Sequence, residues 1–165
     1  MSKIETLVDE GFRVSLIETA FFDGKFEIPH IDAPLCVQMA GIYLNRAVGY
    51  YLSKKGIYVI PNIRWGDERT YTDELLGEKV AFQGVDKHSI VSIGTYGQIR
   101  TAESKRYFRE GLIAMLDELE PKVVLVYGAM PDTIFHGLET RTEFVQYPDW
   151  TTRMKQKNIM YKSSV

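Results

Sequence analysis

The chain has one cysteine, Cys36, in 165 residues. That rules out an internal disulfide and any cysteine-based metal cluster, and it fits a reducing compartment. No apolar run approaches the roughly 18 residues needed to cross a bilayer, and the opening stretch Met1 to Glu10 has no apolar signal core. A cytoplasmic protein with no membrane contact is the expectation. The P-loop pattern, a Gly-x-Gly-x-x-Gly after a strand and the Gly-x-Ser-x-Gly elbow are all missing. The common NTPase, dinucleotide and hydrolase sites are therefore disfavoured. Histidines are few and scattered (His30, His88, His136), and only His30 and Asp32 have the spacing of a ligand pair, which in a loop is usually incidental. No metal and no cofactor is expected. Charge of either sign is not in excess: the net charge is −2 and the pI about 5.9, so nothing drives the whole chain toward DNA or an anionic surface.

Apolar residues make up 45% and charged residues 25% of the sequence, ordinary globular usage, and the length suits one domain with a real core. Residues 1–31 read as an N-terminal strand and loop region, with a strand over Arg13 to Ala20, a tight turn at Asp23-Gly24 and irregular chain from Ile28 to Pro34. Apolar or small residues at 37, 40, 41, 44, 48, 51 and 52 have helical spacing, and Met39, Ile42, Tyr43 and Tyr50 on the other side predict a helix over 37–55 covered on both faces. Gly56 should end it, with Lys54 and Lys55 well placed against its dipole. Ile57 to Ile60 predicts a buried strand, Tyr71 to Leu76 a short helix, and Gly77 to His88 a loop or edge excursion. Ser89 to Gly94 predicts a second strand, Ala102 to Leu119 a helix capped by Thr101 and stopped by Pro121, and Lys122 to Val126 a third strand. Strands alternating with helices predict an α/β fold: a single domain with a small, mainly parallel sheet, βαβ crossovers and helices packed on it.

In such sheets the loops leaving the carboxyl ends of the strands share one edge, where ligands bind. Three predicted strand exits are polar or glycine-rich: Asn62 to Asp67, Thr95 to Arg100, and Tyr127 to Asp132. The first changes abruptly from apolar chain to an amide, two guanidinia, an indole and two carboxylates. Pro61 should mark the end of the ladder, and Gly66 permits a sharp turn through positive φ. Arg64 and Arg69 are forks suited to phosphate or carboxylate, Trp65 and Tyr96 are surfaces for a base or sugar, and Asp67 or Glu68 is the candidate general base. Asn62, Gly97, Arg100 and Tyr127 complete the candidate ligand-binding set. The alternatives are ordinary ones: surface ion pairs among the charges, a Trp plugging a core edge, and glycines that only form turns. Asn45 and Arg46, polar residues in an apolar helix, either face solvent, pair with a carboxylate, or support the site.

Residues 139–165 read as a basic extension. From Thr140 onward there are five Lys or Arg against two acids, with Tyr147, Trp150 and Tyr161 interleaved. A solvated tail pinned by its aromatics, a nucleic-acid contact, a cover for the pocket and a subunit contact all fit this composition.

The run Gln38 to Leu52, then Gly56-Ile57-Tyr58-Val59-Ile60-Pro61-Asn62-Ile63-Arg64-Trp65-Gly66-Asp67-Glu68, then Ser89 to Gly97, then Pro121 to Gly128, resembles the domain of unknown function 4417 family of bacteria, phages and mobile elements. The likeness extends over about Asp32 to Met130, and the Asn-x-Arg-Trp-Gly-Asp-Glu stretch is its most specific part. It implies an intracellular protein of a phage or mobile element, acting in host manipulation, anti-defence or replication support, in the host cytoplasm if phage-encoded. It implies no catalytic residues.

Three functions are consistent with these features. A strand-exit pocket binds, and hydrolyses or only holds, a nucleotide-like or phosphorylated small ligand. Alternatively, a non-catalytic binder sequesters a host protein or signalling ligand through an apolar patch, or a replication accessory touches DNA through the basic extension. Self-association is compatible with each.

Overall fold

The structure, a computed structural model, describes residues 33–155. The strand expected over Arg13 to Ala20, the Asp23-Gly24 turn and the end of the basic extension lie outside the described residues.

Helix α1 spans Leu35–Lys54. It closes as expected: Gly56 takes φ +81, and the amides of Lys55 and Gly56 donate to the carbonyls of Leu52 and Ser53. Helix α2 is one turn, Glu68–Tyr71, followed by a 3-10 turn at Val80–Phe82. Then come β1 (Ile90–Gly94), α3 (Ala102–Leu119), β2 (Val123–Tyr127), α4 (Asp132–Phe135) and β3 (Glu143–Tyr147). Helix α3 matches its predicted limits because both ends are signalled locally. Thr101 Oγ1 accepts from the Ser104 amide at 3.0 Å, Ser104 Oγ accepts from the Thr101 amide at 2.9 Å, and Pro121 follows the last turn.

The three strands form one parallel sheet in the order β1-β2-β3. Gly94, Tyr127 and Tyr147 stand side by side at its carboxyl edge, and Ser92, Leu125 and Val145 form the next row inward on the same face. Val91, Ile93, Val124 and Val126 are fully buried with Phe108, Leu112, Met115, Leu116 and Leu119 of α3. Each of these side chains contributes about 1.5–3 kcal/mol by leaving water, so one face of the sheet and one stripe of α3 make the core.

Three expectations are corrected. Ile57 to Ile60 forms no strand; this segment pairs with β1 through a single parallel bridge, Asn62 with Ser92, where the Ile63 amide donates to the Ser92 carbonyl at 2.7 Å and the Ser92 amide to the Pro61 carbonyl at 2.9 Å. Pro61 has no N–H to extend the ladder backward. The third strand lies instead in β3, inside the basic extension, so that segment is partly built into the sheet rather than appended to it. Nor is α1 covered on both faces: only Gln38, Ile42 and Leu52 are buried, while Met39, Tyr43, Leu44, Tyr50 and Tyr51 are exposed. Tyrosine tolerates this because its hydroxyl stays wet. Among the described residues, no helix is long and apolar enough to cross a membrane.

Candidate functional site

The segment from Asn62 to Arg69 divides between the core, a structural brace and the sheet edge. Ile63 and Trp65 point into the core, Trp65 at 8% exposure with its ring 5.2 Å from Phe108 and 6.5 Å from Phe82. The expected stacking role for Trp65 is thereby corrected: the indole is spent on packing, because an extended segment turns alternate residues inward and Trp65 falls on the inward phase. Gly66 is not in the left-handed region. It is required for space, since a Cβ there would overlap the Gln38 carboxamide.

Asp67 is the N-cap of α2, its Oδ1 accepting from the Arg69 amide at 3.1 Å. Arg69 also grips both oxygens, Nε to Oδ1 at 2.8 Å and Nη2 to Oδ2 at 2.5 Å, and Gln38 Nε2 donates to Oδ2 at 2.9 Å. Gln38 is fully buried, and it and Arg69 both donate to the Ala33 carbonyl. Burial pushes the Asp67 carboxyl up, but the hydrogen bonds from Arg69 and Gln38 outweigh it and hold the group below the usual carboxylate range. Arg69 is raised in turn by its bond to Asp67. Asp67 and Arg69 thus form a closed brace between α2 and the start of α1. Glu68, the neighbouring carboxylate, is exposed on the first turn of α2.

Asn45, Arg46 and Asn62 converge. Arg46 donates to Asn45 Oδ1 at 2.6 Å and to the carbonyls of Asn62 (3.2 Å), Ala81 (2.9 Å) and Gln83 (3.0 Å). Desolvation pulls its guanidinium down to about 10. All four acceptors are neutral, so Arg46 works as a clamp tying α1 to the strand-exit segment and to the 3-10 turn.

The remaining residues stand at the carboxyl edge of the sheet. Arg64 Nη2 lies 3.4 Å from where a Cβ on Gly94 would be, which puts the guanidinium across the glycine paired with Tyr127. The Tyr127 ring meets Tyr96 edge to face at 6.5 Å, and its hydroxyl accepts from the Trp150 amide at 2.9 Å. Gly97 turns the exit loop with φ +77, and Arg100 Nη2 lies 3.8 Å from its would-be Cβ. Thr95 fastens this edge: its Oγ1 donates to the Ala129 carbonyl at 2.7 Å, and its amide to the Tyr127 carbonyl at 3.0 Å. Gly128, at φ +116, sits where any Cβ would strike Thr95 Oγ1. The exits of β1 and β2 are therefore bolted together, and Gln146 Nε2 extends the tie to β3 through the Gly128 carbonyl at 2.8 Å.

A depression of about 410 Å³ lies away from this edge, with Lys79 and Lys87 both paired to Glu118 in its wall. The sequence reading missed it because those charges are spread over forty residues of loop and helix. Among the described residues, no group of three or more His, Cys, Asp or Glu is placed to hold a metal ion.

A family model described as "Domain of unknown function (DUF4417)" matches residues 19–148. The chain is similar to the "Gene 1 protein" of Mycobacterium phage D29, 27% identical over 125 residues that make up 76% of this chain and 43% of the relative. It is also similar to the "Gene 1 protein" of Mycobacterium phage L5, 28% identical over 124 residues, 75% of this chain and 50% of the relative. The chain spans about half the length of these curated relatives. No solved structure matches it.

Proposed function

We propose, for a chain that belongs to the DUF4417 family, that the carboxyl edge of its sheet binds a phosphorylated, nucleotide-like small ligand. The observation that carries the reading is Arg64 laid across Gly94, in one row with Tyr127, whose ring meets Tyr96. A guanidinium is a fixed fork for phosphate, and tyrosine faces take a base or sugar. Arg100 in the same exit loop adds a second cation. The edge is held rigid by Thr95 and Gly128, so little order has to be gained on binding.

The reading is of a binder. Asp67 already accepts four hydrogen bonds, which leaves it no lone pair to activate water; a hydrolytic role would rest on Glu68, the carboxylate of the pair that faces solvent. On this reading the ligand is held in the cytoplasm of an infected host and its capture serves anti-defence or replication; the similarity to proteins encoded by phages supports that setting. The test is native mass spectrometry of protein purified from cells, then denaturation to release and identify what it carried. A phosphate-bearing molecule at fixed stoichiometry, absent from Arg64→Ala, supports the reading.

One other observation favours a different class. Helix α1 exposes Met39, Tyr43, Leu44, Tyr50 and Tyr51 and contains no acidic residue, which suits sequestration of a host protein. That alternative requires a stoichiometric partner that Tyr43→Glu releases and Arg64→Ala retains. DNA contact through the basic extension is tested by truncation after Pro148, which spares β3.

A further inference from the structure

The bridge between Asn62 and Ser92 sets the register of this segment against β1. Since Ile63 and Trp65 enter the core, Asn62 and Arg64 lie on the opposite face, Asn62 beside Ser92 and Arg64 beside Gly94. The outer row of that face reads Arg64, Gly94, Tyr127, Tyr147. The row one pair further in begins with Asn62.

Asn62 is the anomaly of the row. The residue is 3% exposed, yet neither its Oδ1 nor its Nδ2 has a hydrogen-bond partner. A buried carboxamide left this way lowers stability, and an aliphatic side chain of similar size would serve the fold better. Such a group in a core position marks a place where folding has yielded to another requirement.

We infer that Asn62 reads the donor–acceptor edge of the ligand bound at the strand exits, and that the ligand is therefore a nucleotide rather than a plain sugar phosphate. Its Oδ1 accepts and its Nδ2 donates, the pairing a carboxamide makes with the N6 and N7 edge of adenine. Two residues of extended chain separate Asn62 from Arg64 by about 6.6 Å, which lets one residue take the base while the other takes the phosphate. Gly94, with no side chain, lets the Arg64 guanidinium lie close over β1 in the outer row beside Tyr127. This inference rests on the strand-exit reading.

The test titrates wild type, Asn62→Leu and Arg64→Ala with AMP, GMP, CMP, UMP and ribose 5-phosphate by calorimetry, alongside urea unfolding of each protein. Wild type should rank the four nucleotides and prefer the best of them over ribose 5-phosphate. Asn62→Leu should unfold at the same or higher urea and lose about tenfold or more for the preferred nucleotide, as expected for one bidentate pair, so that the ranking collapses. Arg64→Ala should weaken all five probes alike. A lower unfolding midpoint for Asn62→Leu overturns the inference, because the amide then serves the fold. A wild-type ranking in Asn62→Leu also overturns it, as does equal binding of nucleotides and ribose 5-phosphate by wild type, and either result leaves the strand-exit site standing. Failure of wild type to bind any of the five overturns both.

Discussion

The indole of Trp65 rests directly on Gly111 of α3, so closely that a Cβ on the glycine would overlap Nε1, Cδ1 and Cε2 of the ring. That contact joins the strand-exit segment to the central helix. It also fixes the phase of the segment, sending Asn62 and Arg64 to the other face. Gly111→Ala should therefore destabilise the protein by about 1–3 kcal/mol, the usual penalty of overpacking, even though alanine is the better helix former. Urea unfolding measures it; an unchanged or raised midpoint would show that the indole has room to move.

Asp67 makes acid sensitivity local. Its carboxyl is held below the usual range, so its contribution is fully present above the unfolded value of about 3.9 and is lost as pH falls through the lower folded value. Unfolding midpoints between pH 7 and pH 3 should fall less steeply for Asp67→Asn than for wild type. Equal slopes would mean that other carboxylates set the acid limb. At pH 7, Asp67→Ala should cost about 1–3 kcal/mol, since it leaves Gln38 Nε2 with the Ala33 carbonyl alone, takes the carboxylate from Arg69 and uncaps α2.

Arg46 holds three backbone carbonyls from two separate segments. Arg46→Leu leaves them short of donors and should destabilise by about 1–3 kcal/mol, with faster amide hydrogen exchange around Ala81 to Gln83. Arg46→Lys should rescue little, because one ammonium cannot reach acceptors that a planar fork spans. Full rescue by lysine would reduce the clamp to a matter of charge.

Much of this architecture was legible where the signal is local. Thr101, Ser104 and Pro121 mark the limits of α3, Gly56 ends α1, and the apolar runs give β1 and β2 within a residue. β3 was not legible: Glu143 to Tyr147 is a short edge strand whose alternation is half polar and whose partners in β2 lie twenty positions earlier. The strand expected at Ile57 to Ile60 has the right composition, but pairing is a tertiary fact that β-branched residues alone do not supply. At the site, a capping aspartate and a general base look alike in one sequence, as do a core tryptophan and a stacking one; Gln38 and Gly111, which decide both cases, are distant in the chain. Tyr96 and Tyr127, by contrast, emerge at one sheet edge because the parallel topology puts strand exits there, and the single parallel bridge of Asn62 with Ser92 brings Arg64 to the same edge.

The most direct test of the strand-exit site compares wild type with Arg64→Ala by native mass spectrometry after purification from the same cells. The account predicts a mass increment on wild type that denaturation releases as a phosphate-bearing, nucleotide-like molecule at fixed stoichiometry, with the variant folded and empty. The same increment on both proteins, or a wild type that carries no small molecule and instead co-purifies with a host polypeptide, would contradict it.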